Sequence, residues 1–315
     1  MQRYVITRIG HSIVLLVFVS ILTFVLIHAA PGGPAILLAP EMSGEQIKQA
    51  ERSLGLDQPL PIQYLRWLGN VARGRLGQSY GAGLPVLGLI VDRLPATLEL
   101  VATGLLLSVI VGVLVGVVSA VHRYSVVDHF TTGVAFFGMS VPVFWLGIML
   151  IIVFSTSLHL LPSAGAYSLG APASVGDRLA HLALPAVVLA TANLAQIARY
   201  TRSSMLEVLN AEFLRTARAK GASARTVIYH HALRNALIPI VTVVALAIPR
   251  LVGGVAITES VFAWPGMGQL AVDSALQRDY PMIMGVTLVV SMVVVLTNFL
   301  TDLSYLILDP RVELG

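Results

Sequence analysis

The sequence predicts an all-α integral membrane protein with six transmembrane helices, and three observations carry that prediction. Six apolar runs are each long enough to cross a hydrocarbon core, which takes about 20 residues of helix. Charged residues make up 11% of the chain and hydrophobic ones 56%, too little polar surface to cover a soluble globule of 315 residues. Basic residues gather in one segment between two of the runs. There Arg199, Arg202, Arg215, Arg218, Lys220, Arg225 and Arg234 outnumber Glu207 and Glu212, a balance that opposes translocation and keeps the segment on the inner side.

The first span runs from Ile9 to Ala30 behind Arg3 and Arg8. A cleavable signal peptide is the rival reading, but the run is long for one and His28 is a poor residue three before a cut. Residues 1–30 are therefore the N-terminus and first span, and 31–95 form an external helical loop. That loop opens on the turn Pro31-Gly32-Gly33-Pro34. Ser43 and Gln46 have the spacing of a capping box for a helix through Ser53 that Gly55 stops, and a second helix covers Ile62 to Val71.

Residues 96–308 hold five further spans: Ala96 to Val121, His129 to Leu158, Leu182 to Tyr200, Leu237 to Val261 and Met282 to Leu308. Gly104, Ser108, Gly112, Gly116 and Ser119 recur at three- and four-residue intervals, a stripe that permits close helix packing within one bundle or between two chains. Pro142, Pro185, Pro239 and Pro249 are positions for kinks or helix starts. Residues 309–315 are a short inner tail, which leaves both termini in the cytoplasm.

The inner segment 202–236 reads as two short helices. Leu206, Leu209, Phe213 and Ala217 lie at helical intervals, Gly221 stops the run, and Ala224, Val227, Ile228, His231 and Asn235 resume it. Such a knuckle serves either as a docking surface or as an ordinary arginine-bearing inner loop.

Several chemistries find no support. There is no cysteine for disulfides or thiolate chemistry, and neither lysine, Lys48 nor Lys220, sits in a GxxxxGK[ST] loop, so this chain should not bind or hydrolyse ATP. The adjacent His230 and His231 point about 100° apart on a helix and do not converge on a metal. No serine, histidine and aspartate combine into a hydrolytic triad, so no catalytic, cofactor-binding or metal-ligating residue is assigned. The positive charge follows the inner segment and the N-terminus, the pattern of a membrane topology rather than of a nucleic-acid surface.

Four polar residues in the spans are candidates for a solute pathway. Arg250, between Pro249 and Gly253-Gly254, lines the route or pairs with an acid such as Asp302. Asn193 and Gln196 hydrogen-bond between helices or face the pathway, and Glu259 ends a span beside Phe262 and Trp264. An interfacial anchor is one of two readings of Trp264.

The segment RTARAKGA, Arg215 to Ala222, followed by HHALRNALIPIV, resembles the coupling loop of bacterial ABC-importer permeases of the dipeptide, oligopeptide and nickel branch. The likeness extends along the chain: PGGP after the first span, LGLDQPLPIQYLRWL and GRLGQS from Leu54 to Ser79, TESVFAWPGMGQL from Thr258, RDYP from Arg278 and LDPR from Leu308. It departs from the pattern at Arg215-Thr216-Ala217, at Gly33 and at Arg75, which stands where that branch has an acid. The resemblance implies a six-span type I importer permease that takes di- or oligopeptides into the cytoplasm by alternating access, with nickel, haem or another small solute as alternative cargo. A self-contained channel or secondary transporter would need an ion-coupling set of intramembrane acids, which are sparse here.

The same resemblance implies the partners: a second, homologous permease chain in a heterodimer, two ATP-binding subunits or one fused ATPase carrying ATP and Mg, and an extracytoplasmic solute-binding protein. It places the assembly in the lipid of a bacterial inner membrane. Around Glu259, Phe262 and Trp264 it implies an outer gate or a contact with the binding protein, the other reading of Trp264, which an interfacial anchor explains equally well. Coupling to the ATPase is expected at Glu212, Phe213, Leu214, Arg215, Thr216, Ala217, Arg218, Lys220 and Gly221, with Phe213 and Leu214 seated in a cleft on the partner.

Overall fold

A computed structural model describes residues 2–31, 33–34, 44–170, 172 and 174–308. Ser43, Gly32 and the expected tail at 309–315 lie outside these residues. Among the described residues every regular element is helical. Five helices are long and apolar enough to cross a membrane: Ile6–Ala29, Val86–Val121, Val175–Leu209, Ala224–Val261 and Tyr280–Asp302. A bent pair, Val126–Ser140 with Val143–Ser157, makes a sixth if counted as one span.

The chain divides into two compact units. One contains Met1–Thr97 and Pro265–Phe299. In it α1 (Gln2–Ala29), α2 (Gly44–Leu54) and α3 (Leu60–Val71) precede the start of α4 (Val86–Val121). The short α11 (Met267–Leu276) and the start of α12 (Tyr280–Leu308) complete it. Its α3 is fastened to α1 by an aromatic row. Ser20 and Tyr64 share a hydrogen bond of 2.9 Å, Phe24 meets the Tyr64 ring edge-on at 5.5 Å, and Tyr64 lies 5.9 Å from Trp67. Gly55 ends α2 in the left-handed region at φ +69°, and the Leu56 N–H closes back on the Glu51 carbonyl at 2.8 Å, as the glycine stop predicts. Below this, Leu76, Val86, Ile90, Met267, Met282 and Val286 form a buried core. The loop before α4 is tied to the start of α12 by Asp279, whose carboxylate accepts from the Ser79 hydroxyl and the Gly81 N–H.

The other unit contains Leu98–Trp264 and the end of α12 from Leu300. Here α4 continues and is followed by α5 (Val126–Ser140), α6 (Val143–Leu150) with a π-helical extension Ile151–Ser157, and α7 (Val175–Leu209). Next come α8 (Glu212–Ala219), α9 (Ala224–Thr226), a π-helical turn Val227–Ala232 and α10 (Leu233–Val261). The small-residue stripe packs α4 on α7. A Cβ on Gly116 would lie 2.6 Å from the Ala198 carbonyl oxygen, one on Gly112 2.9 Å from Ile197, and one on Gly104 2.9 Å from Leu189. Ser108 donates to the Ala190 carbonyl at 3.0 Å within the same seam. The stripe therefore serves packing inside one chain.

Three expectations are sharpened or corrected. The third span breaks at Pro142, one of the positions expected for a kink or helix start, and α5 and α6 meet there at 105°. Pro142 drives Val141 out of the helical region to φ −81°, ψ 129° and has no N–H of its own to continue the ladder. Second, α7 reaches well beyond Leu182 to Tyr200 at both ends, so residues 202–209 belong to a long helix and not to a loop. Third, Leu206, Leu209, Phe213 and Ala217 do not share one helix. Ala211 is extended at φ −72°, ψ 145°, and the Asn210 side chain donates to the Leu206 carbonyl at 2.9 Å, ending α7 before α8 begins.

Candidate functional site: the elbow between α7 and α10

The elbow is α8 with the turns on either side of it. Eight residues make only two helical turns, which water alone would not stabilise, so the helix must be held by packing. Leu214 supplies the hold. It is 0% exposed and lies in a core with Val117, Ala120, Met205, Val227, Ala232 and Ala236, against which Ala217 and Ala222 also pack. Glu212, Phe213, Arg215, Thr216, Arg218 and Lys220 stay exposed, with Phe213 at 45%. Gly221 follows at φ +83°, a conformation that costs an L side chain about 1–2 kcal/mol, and its N–H bonds back to the Arg218 carbonyl at 3.0 Å. Ser223 then caps the next turn by accepting from the Thr226 N–H at 3.2 Å.

Leu214 was expected to seat on a partner, and that expectation is corrected: its side chain is consumed by the chain's own core. Consecutive helical residues differ in direction by about 100°, so burying Leu214 turns Phe213 outward. Ala217 likewise faces inward, while the two arginines and Lys220 make the outer face cationic. The second helix of the expected knuckle is not separate. It runs through α9 and the π turn straight into α10.

A polar anchor that sequence reasoning missed sits beside the elbow. The Asp128 carboxylate at the start of α5 takes a two-pronged hydrogen bond from Arg202 on α7, Nε to Oδ1 at 2.9 Å and Nη2 to Oδ2 at 2.8 Å. The Ser119 hydroxyl on α4 and the Tyr124 N–H, at 2.9 Å, also donate to it. Asp128 has a side chain only 4% exposed, so a lone charge there would be expensive and the guanidinium is its compensation. These residues line a cavity of about 510 Å³ with Gly116, His129 and Arg199. One signal was available in the sequence, Ser125 three residues before Asp128, the spacing of an N-cap with an acid in the first turn. On α7, Ser204 donates to the Ala236 carbonyl at 3.0 Å, tying that helix to α10 as well.

The four pathway candidates do not converge. Glu259 is fully buried and Asn193 nearly so, Gln196 is half-buried, and Arg250 is exposed. None of them lines the cavity beside Asp128. Arg250 lies on an outward stripe of α10 with Leu246, Gly253 and Ile257, and has no ion pair among the described residues. Trp264, for which an interfacial anchor was one of two equal readings, is 0% exposed, with the Arg178 guanidinium 4.3 Å above its ring and Glu99 paired to Arg178 through Nε at 3.0 Å.

Residues 112–314 match the family described as binding-protein-dependent transport system inner membrane component, and residues 1–101 match its N-terminal counterpart. The chain belongs to this family. It is thus a membrane-spanning permease of an ABC importer and not itself an enzyme. It is 44% identical over 315 residues to the oligopeptide transport system permease protein AppB of Bacillus subtilis (strain 168), covering 99% of this chain and 100% of that protein. Identity to the dipeptide transport system permease protein DppB of Escherichia coli (strain K12) is 40% over 336 residues, with 99% of both covered. Among solved structures, a chain of the inward-facing MetNI methionine ABC transporter superposes with TM-score 0.57 at 20% identity, over 71% of this chain and 97% of that one. This likeness supports the type I importer fold.

Proposed function

We propose that this permease carries di- or oligopeptides into a bacterial cytoplasm, driven by ATPase subunits that grip the outer face of α8. The observation that carries the reading is the division of labour between two adjacent residues: Leu214 seals α8 to the chain's own core while Phe213 and the cations Arg215, Arg218 and Lys220 remain free. An aromatic anchor ringed by guanidinium groups fits an apolar cleft with an acidic rim, which charge-assisted hydrogen bonds would register. In this reading the face and both termini lie in the cytoplasm of a cell whose inner membrane holds the chain, an orientation favoured by the excess of basic residues on the elbow.

In this reading a second homologous permease faces the α10 stripe that bears Arg250, which leaves that arginine directed toward cargo at the seam. Glu259, Asn193 and Gln196 hold helices together instead of lining the route. ATP and Mg belong to the ATPase partners, and an extracytoplasmic binding protein delivers the cargo. Peptide is favoured by the 44% and 40% identity, along almost the whole chain, to permeases named for oligopeptides and dipeptides.

Reconstitution tests this. The chain, its companion permease, ATPases and binding protein in proteoliposomes should accumulate labelled di- to pentapeptides only when ATP is enclosed on the elbow side. Accumulation of nickel or haem but no peptide would reassign the cargo. Accumulation by the single chain without ATPases would overturn the mechanism.

A further inference from the structure

The unit formed by Met1–Thr97 and Pro265–Phe299 carries a half-open cavity of about 520 Å³, within the range of small-molecule sites. Two buried side-chain nitrogens of its lining, His28 Nε2 and Trp67 Nε1, have no hydrogen-bond partner among the described residues. His28 Nδ1 lies 2.8 Å from the Phe24 carbonyl, which can only accept, so Nδ1 bears a proton and donates it there, and the ring's remaining polar atom, Nε2, is the one left for a ligand. Trp67 offers a donor only. Leaving such groups buried and unpaired is costly, and a ligand that paired them would recover that cost.

The charges on the wall narrow the ligand further. Arg66 and Arg75, both exposed, line the cavity; among the described residues no carboxylate lines it and neither arginine has an acidic partner. Arg66 is poised by Gln58, whose Oε1 accepts from Nη2 at 2.9 Å. The Tyr80 phenol, also on the wall, is pushed up to about 12 by burial and then by the Asp279 carboxylate, so it stays a neutral donor. Phe24, Leu76 and Met284 supply an apolar side. An inorganic anion would answer the arginines but leave the apolar wall unused.

We infer that this cavity is a receiving site for a short peptide, its free C-terminal carboxylate held by Arg66 and Arg75, a carbonyl by the Trp67 N–H, and an N–H donated to His28 Nε2. The choice of peptide rests on the proposed cargo; the carboxylate-and-donor chemistry comes from the cavity.

The test is equilibrium binding of labelled Ala-Phe-Ala and of its C-terminal amide to the purified permease and ATPase complex in lipid nanodiscs, without binding protein or ATP. The acid should bind saturably and the amide about tenfold more weakly. Trp67→Phe, which keeps the ring and removes the N–H, and Arg66→Gln should each weaken the acid about five- to tenfold, with the thermal midpoint of each variant recorded to exclude misfolding. Equal affinity for acid and amide, an unchanged affinity in both variants, or displacement of a co-purified lipid as the only event would overturn the site. ATP-driven uptake of the same peptide is scored separately. Uptake with variant-insensitive binding sinks this site alone, and variant-sensitive binding with no peptide uptake sinks the cargo reading alone.

Discussion

The sharpest prediction contrasts two neighbours on α8. Phe213→Ala removes an aromatic ring that is 45% exposed, whereas Leu214→Ala removes a side chain that is 0% exposed. An aromatic side chain has about 200 Å² to bury, so the free part of Phe213 is roughly 90 Å², worth about 2 kcal/mol at 25 cal/mol per Å² if a partner covers it. That is about thirtyfold in affinity, the scale of a truncated aromatic anchor. Leu214→Ala should instead destabilise the permease itself by about 2–5 kcal/mol, because the cavity opens in a core shared by α4, α7, the π turn and α10. Two assays separate the effects: the thermal midpoint of the permease pair in detergent, and titration of purified ATPase subunits onto that pair. Phe213→Ala should leave the midpoint in place and shift the titration, with ATP turnover no longer tied to uptake. Equal midpoint losses in the two variants, or a Phe213→Ala titration identical to wild type, would refute the assignment of inner and outer faces.

Three further outcomes follow from distances already given. A double-mutant cycle on Asp128→Asn and Arg202→Gln should show a coupling of about 2 kcal/mol in unfolding titrations, since each single change strands a partner in a two-pronged pair; additivity within about 0.5 kcal/mol would deny the pair its role. Gly116→Ala should cost about 1–3 kcal/mol by pressing on the Ala198 carbonyl, while Gly133→Ala, with nothing within 4 Å of the added Cβ, should be neutral or stabilising, as compared thermal midpoints will show. Gly221→Ala also meets no atom within 4 Å, so its expected loss of about 1–2 kcal/mol is pure backbone strain at φ +83°, and uptake assays should show Gly221→Asn milder than Gly221→Ala.

What the sequence made legible was what the solvent dictates. In hydrocarbon every backbone polar group must be satisfied within its own helix, so the apolar runs mark spans directly, and the Gly55 and Gly221 stops are readable because the left-handed region excludes most other residues. The inward turn of Leu214 was not legible: on a two-turn helix Phe213 and Leu214 are equally apolar, and the core that chooses between them comes from residues as far away as Val117 and Ala236. Pro142 announced a break but not its 105° angle, which depends on what α6 packs against. The Asp128–Arg202 pair spans 74 residues, and neither residue stands out among the charges at helix ends. Trp264 stayed ambiguous for a related reason, because an aromatic at a span's end is the pattern of an interfacial belt until the Arg178 guanidinium is found over its ring.

The elbow's attachments say where a pull on it must go. A flexible loop would absorb displacement of α8 locally, but Leu214 ties α8 to α4, α7 and α10, Arg202 ties α7 to α5, and Ser204 ties α7 to α10. A shift of α8 therefore loads α7 and α10 together and reaches α5 through a charged, two-pronged contact that resists shear better than apolar packing does. The bend at Pro142 is the compliant point on that route, since the backbone ladder is already interrupted there. Under this scheme, cutting the Asp128–Arg202 contact should uncouple ATP turnover from uptake even in variants whose ATPase affinity is unchanged. Phe213→Ala, in contrast, should lose affinity and coupling together. If the Asp128→Asn variant retains wild-type uptake per ATP, force is leaving the elbow through α10 alone, and α5 is a passive member of the bundle.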